Sequence, residues 1–152
     1  MAHWAEFEAA EAELAARVRA ILTGRKHHTL ATLRRDGSPR VSGIEVAFDE
    51  SDLVLGVMPD SLKLVDIRRD ERVALHALSD DPTGDDQGAW KGDVKVAGRA
   101  IERPQRPADQ PPGPRFWVDI TAIVLTGLDE AATQLEIASW HPGRGRQVKR
   151  RP

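Results

Sequence analysis

The stretch from Thr29 to Leu78 constrains the fold more than any other part of the chain. It reads as strand, Asp-Gly turn, strand, acidic turn, strand, short helix and strand again. Thr29-Leu30-Ala31-Thr32-Leu33 alternates with period two and runs into Arg34-Arg35-Asp36-Gly37-Ser38, and Asp-Gly is a strong hairpin signal. Pro39 to Phe48 makes the second strand. Asp49-Glu50-Ser51-Asp52 turns the chain into Leu53-Val54-Leu55-Gly56-Val57-Met58, and Pro59 ends that strand. Asp60 or Ser61 can cap a helix running to about Arg69. Arg72 to Leu78 is a strand once more.

The flanking segments complete one domain, residues 1–152. Trp4, Phe7, Leu14, Val18 and Ile21 recur at helical spacing, and many alanines raise the propensity. Residues 1–24 therefore predict an N-terminal helix lying over the mouth of a sheet, stopped at Thr23-Gly24. Asp80 to Gly88 is a polar, acidic loop. Lys91 to Glu102, Phe116 to Leu128 and Gln134 to Trp140 read as strands. The segment 103–114 holds five prolines and can only be a connector; residues 144–152 form a basic tail. The sum is about seven strands joined mostly by hairpin turns. With one helix available as a crossover, the pattern argues against a doubly wound parallel sheet and fits best a closed or split antiparallel barrel, which removes exposed edges.

Composition narrows the function. The net charge is −2, so bulk charge points neither to nucleic acid nor to an acidic membrane. No apolar run is long enough to span a bilayer, and Met1 to Glu6 lacks a secretory pattern; both are compatible with the cytoplasm. There is no cysteine and no tyrosine. This removes disulfides, thiolate metal sites, a cysteine nucleophile and one common proton donor. His27 and His28 are neighbours on a strand and so point to opposite faces, which argues against a metal pair. His76 reads as a barrel histidine within an apolar strand.

Lys63 stands out. It lies in the first turn of the predicted helix, where the helix dipole disfavours a cation. A bound anion such as phosphate would turn that misfit into a fit.

The segment His28 to Leu78 resembles the flavin-binding split-barrel family of pyridoxamine-phosphate oxidases and their deazaflavin-dependent relatives. The matching features are Leu30-Ala31-Thr32-Leu33 with Asp36-Gly37-Ser38-Pro39, the Leu53-Val54-Leu55 strand, Ser61-Leu62-Lys63, and Arg68-Arg69-Asp70-Glu71-Arg72-Val73-Ala74-Leu75. Val96-Ala97-Gly98-Arg99-Ala100 resembles the core of the family's next strand. The resemblance implies a mainly β fold, a six- to seven-stranded antiparallel split β-barrel with an N-terminal helix, forming a homodimer with the cofactor at the subunit interface. It implies FMN as cofactor, or alternatively a deazaflavin of the coenzyme F-420 type. Ser61 and Lys63 would hold the phosphate. Arg40, Val41, Ser42, Gly43 and Ile44, up to Glu45, would flank the ring or ribityl chain, and Val57 and Met58 would add backbone contacts. Trp140, with His141 to Arg144 after it, falls where family C-termini approach the partner's cofactor.

Two positions depart from the family pattern. Leu62 replaces an arginine often found beside the lysine, and Asp66-Ile67 replaces an Asn-Leu pair. Arg40 or a residue of the second subunit is the candidate to supply the missing charge, while Asp60 adds a negative one. A haem-binding branch of the superfamily makes His76 or His141 the candidates if iron is the ligand.

The expected function is hydride transfer to or from a small unidentified substrate, with the cofactor carrying the chemistry and no catalytic side chain assigned. Two rivals remain. One is a non-catalytic flavin- or ligand-binding barrel. The other is a nucleic-acid-binding protein that uses its tail, where five of the eight residues Arg144 to Arg151 are basic.

Overall fold

The computed structural model describes residues 1–152. Its elements are α1 (Trp4–Ala10), α2 (Ala12–Thr23), β1 (His27–Leu33), β2 (Pro39–Asp49), β3 (Asp52–Gly56), α3 (Leu62–Arg69), β4 (Arg72–Leu78), β5 (Asp93–Arg103), β6 (Arg115–Leu128), β7 (Leu135–His141) and β8 (Gly145–Arg151). All strands pair antiparallel, in the order β3-β2-β1-β4-β5-β6-β7-β8. A further pairing of β3 with β6, Val54 opposite Trp117 and Leu55 opposite Phe116, closes the first six strands into a barrel. The expected split barrel is therefore present, with two strands added to it.

β6 makes closure possible because of its length. One edge pairs with β5 from Arg115 to Thr126, while the other is shared between β3 at residues 115–117 and β7 at residues 123–128. The β5–β6 ladder needs a bulge to bend this far. Ala97 pairs with Ala122 but Gly98 pairs with Ile120, leaving Thr121 as the extra residue. A Cβ on Gly98 would lie 2.2 Å from the Asp119 carbonyl oxygen, so only glycine fits the bend.

Inward-facing residues alternate along each strand, with Leu30, Leu53, Leu55, Val94, Val96, Ile123 and Leu125 fully buried. The predicted N-terminal helix is two helices broken at Glu11, whose φ of −139° and ψ of 62° leave the helical region. The break does not prevent burial of both halves: Trp4 and Phe7 from α1, and Leu14, Val18, Ile21 and Leu22 from α2, join the same core. Each such side chain contributes about 1.5–3 kcal/mol by leaving water.

Two sequence readings change. The basic tail is largely strand β8, paired residue by residue with β7 from Leu135–Arg151 to His141–Gly145. His76 lies not inside the barrel but on its outer surface, half exposed and 3.5 Å from Asp93. The interior histidine is His28, whose Nε2 meets the Leu22 carbonyl at 2.7 Å. His27 faces the other way, as strand geometry requires, and sits 3.2 Å from Glu45.

Candidate functional site: the opening between β2 and α3

β3 pairs with β2 only between Glu45 and Asp49. Residues 39–44 of β2 therefore have β1 on one edge and no strand on the other. Beyond Gly56 the chain turns away: the Val57 N–H donates to the Pro114 carbonyl at 3.0 Å, in the proline-rich connector. Asp60 then reverses the chain with φ +64°, a left-handed conformation that aspartate tolerates better than most residues. Ser61 starts α3, its Oγ accepting from the Leu64 N–H at 3.3 Å. This leaves the Ser61 hydroxyl proton free to donate.

Lys63 sits in the opening. Its Nζ donates to the Gly43 carbonyl on the unpaired edge of β2. Burial holds its pKa below the ordinary 10.5. The ammonium thus lies in a partly dry position with no carboxylate bound to it. The N–H groups of the first turn of α3 also lack intrahelical acceptors. Ammonium, hydroxyl and free amides together fit a phosphate.

β2 divides the other expected residues by alternation. Val41 and Gly43 face outward and are exposed, whereas Arg40, Ser42 and Ile44 face inward. Ile44 is a core residue, and the Ser42 hydroxyl is buried without a hydrogen-bond partner. Met58 is 74% exposed beside the opening, while Val57 is buried and its N–H already used. Trp140 is committed to the core, with its ring centroid 5.1 Å from that of Phe7, so its indole lies under the N-terminal helices.

Arg40 is not free to replace the missing arginine. Its Nε donates to Asp66 Oδ2 at 2.7 Å, and Thr32 Oγ1 donates to the same oxygen at 2.8 Å. Arg69 completes the shell of Asp66 at Oδ1, 3.1 Å away. Burial pushes the Asp66 carboxyl up, but the three donors together outweigh it and hold the group below the usual carboxylate value. The sequence shows Asp66 only as a departure from the family pattern; its role stays hidden there because Thr32 and Arg40 are distant in the chain, and only Arg69, one turn along α3, is a near neighbour.

The connector is also fixed in place. Arg103 pairs with Asp109 at 2.9 Å, and Arg106 with Asp49 at 2.6 Å. Gly113 lies so close to the Val57 carbonyl that a Cβ there would stand 3.1 Å from it, so the connector backs the loop that leads to Lys63.

The sequence profile described as pyridoxamine 5'-phosphate oxidase matches residues 14–135, well over half of the chain. The chain belongs to this family. The pyridoxamine-phosphate-oxidase fold extends to solved structures of low identity. PhzG from Burkholderia lata 383, solved with tetrahydrophenazine-1-carboxylic acid, aligns with a TM-score of 0.59 at 12% identity, over 96% of this chain and 89% of that one. A heme binding protein from Mycobacterium smegmatis aligns at 0.57 and 14% identity, over 88% and 86%. An F-420 reductase aligns at 0.53 and 21% identity, over 69% and 94%. These similarities concern the fold. No protein of curated function matches the chain in sequence.

As a pyridoxamine-phosphate-oxidase family member, this protein places Ser61, Lys63, Gly43 and Met58 around one opening. No cluster of three or more His, Asp or Glu side chains has metal-binding geometry. No helix is long and apolar enough to cross a membrane.

Proposed function

We propose that this protein is a flavin- or deazaflavin-dependent oxidoreductase that transfers hydride to or from a small substrate. The observation that carries the reading is the unpaired edge of β2 with the Lys63 ammonium set against it at the capped start of α3. FMN is the first candidate cofactor and coenzyme F-420 the alternative. Lys63 and Ser61 would hold the phosphate, with the exposed backbone at Val41 to Gly43 and at Met58 alongside the rest of the molecule. The cofactor, once bound, supplies the hydride chemistry. The chain's own residues bind it, orient it and limit water at the opening.

The protein acts as a homodimer in this reading. The outer surface of the barrel carries a level row of small side chains, Val41, Ala31, Ala74, Ala97 and Ala122, aligned by register across β2, β1, β4, β5 and β6. A flat surface of this kind suits close approach of a second barrel. The opening at Gly43 lies two residues along β2 from Val41, on the same face as that row.

Titration of the purified protein with FMN and with coenzyme F-420, followed by absorbance, tests the proposal. Saturable binding of either, weakened in Lys63→Ala, supports it. Absence of binding to both removes it. A non-catalytic ligand-binding barrel is favoured instead by one feature: the polar side chains at the opening, Lys63 and Ser61, can bind but offer no evident acid–base pair. Binding of a cofactor without turnover of any reductant would select that reading.

A further inference from the structure

A second site lies on the outer side of α3. Arg34, Arg35, Arg40 and Arg69 line a groove of about 430 Å³ together with Leu62 and Val65. That volume falls in the range of small-molecule sites. Asp36 and Asp66 are the only acids in its lining. Both are already satisfied: Asp36 accepts from the Ser38 N–H at 2.9 Å and the Ser38 hydroxyl at 2.6 Å, and Asp66 is held by Arg40 and Arg69. Four arginines against two carboxylates leave the lining two charges positive.

Asp66 is shared by Arg40 and Arg69, which leaves one positive charge on that side of the groove; the other lies, net of Asp36, on Arg34 and Arg35. Both are exposed, at the turn between β1 and β2, and no carboxylate lies within ion-pair distance of either. Across from them Leu62 and Val65 are 62% and 54% exposed on α3. A surface helix usually turns such side chains inward; here two stand beside free guanidinium groups.

We propose that this groove binds a small molecule with a carboxylate or phosphate group on an apolar body. The guanidinium groups of Arg34 and Arg35 would take the anion in forked hydrogen bonds, and Leu62 and Val65 would cover the apolar part. Leu62 thus has a use of its own: where a neighbouring arginine would extend the phosphate clamp at Lys63, a leucine forms the apolar wall of a groove beside it. The groove stands whether or not Lys63 holds a cofactor.

Calorimetric titration of the full chain with inorganic phosphate, phenyl phosphate and glutarate tests this. Phenyl phosphate is expected to bind roughly tenfold tighter than inorganic phosphate, because only it reaches the apolar wall. A preference for glutarate over phenyl phosphate identifies carboxylate as the natural group, and the reverse identifies phosphate; either result supports the site. The double substitution Arg34→Gln and Arg35→Gln is expected to weaken binding at least about tenfold while leaving the unfolding temperature unchanged. Leu62→Ser is expected to abolish the advantage of phenyl phosphate. Lys63→Ala is expected to leave the binding that depends on Arg34 and Arg35 in place for all three probes, any phosphate held at Lys63 being a separate event lost in that variant, which separates this groove from the proposed cofactor site. The proposal is overturned if none of the probes saturates, if binding survives the double substitution, or if it disappears in Lys63→Ala.

Discussion

Arg40 Nε lies 2.7 Å from Asp66 Oδ2, and this contact fastens α3 to β2 beside the opening that holds Lys63. The two residues are far apart in sequence, and Asp66 is only 2% exposed. Removing one partner of such a pair strands the other charge, which costs more than the pair itself contributes. Asp66→Ala is expected to destabilise the fold by about 3 kcal/mol, toward the lower end for buried pairs because Arg40 keeps some access to water. The folded pKa of Asp66 lies below its unfolded value of about 3.8. Its stabilisation is therefore fully present above that value and is lost as the pH falls through the lower folded one. Urea unfolding at pH 7, 5 and 3 should show an acid-side loss that is smaller in Asp66→Asn.

Lys63 is expected to contribute about 1.5–3 kcal/mol to binding of a phosphate-bearing cofactor, the scale of a charged hydrogen bond. Lys63→Ala should therefore raise the dissociation constant for FMN roughly ten- to hundredfold. The same variant should unfold at nearly the same temperature, since the side chain's hydrogen bond is with the Gly43 carbonyl and it forms no ion pair. An unchanged dissociation constant would take the lysine out of the site.

Asp60 presents the opposite charge just before α3, in a left-handed turn that asparagine also tolerates. Asp60→Asn should tighten FMN binding severalfold by removing a repulsion. It should also lower stability by about 0.3–1 kcal/mol, because a negative charge near a helix start is favourable. Opposite signs in the two measurements distinguish this electrostatic effect from general damage.

Gly98 and Gly43 should respond differently to the same change. Gly98→Ala drives a Cβ into the Asp119 carbonyl and should cost at least about 2 kcal/mol in chemical denaturation. Gly43→Ala meets nothing within 4 Å and should leave the isolated fold intact. Any loss of cofactor affinity in Gly43→Ala would then report directly on the space beside Lys63.

Ala74 lies in the middle of the row of small side chains on the barrel surface. Ala74→Glu should leave secondary structure unchanged, since the residue is exposed, yet convert a dimer to monomer in sedimentation. Sedimentation of the unaltered chain as a monomer would remove the dimer from the proposal.

Local patterns carried most of the architecture. Period-two alternation, the Asp36-Gly37 turn and the Ser61 cap act between near neighbours, so they could be read directly, and they place β1 to β4 and α3 within a few residues. They also pointed to Lys63, because a cation in the first turn of a helix is a misfit that needs no tertiary knowledge to detect. Other features depend on partners distant in the chain. Whether Arg40 faces a ligand or Asp66 depends on how α3 docks. Whether His76 lies inside or outside follows from strand register, since one step in a strand exchanges its faces. Trp140 reads first as a core or interface anchor and second as a cofactor neighbour, and only Phe7 packed against it decides for the core; the basic tail becomes strand only because β7 has an edge to pair. Sequence alone thus determined β1 to β4, α3 and the anion-seeking lysine. Closure of β3 on β6, the unpaired edge of β2 and the groove of arginines were decided by long-range pairing, because hydrogen bonds and ion pairs between distant residues are set by the packed chain and not by their neighbours.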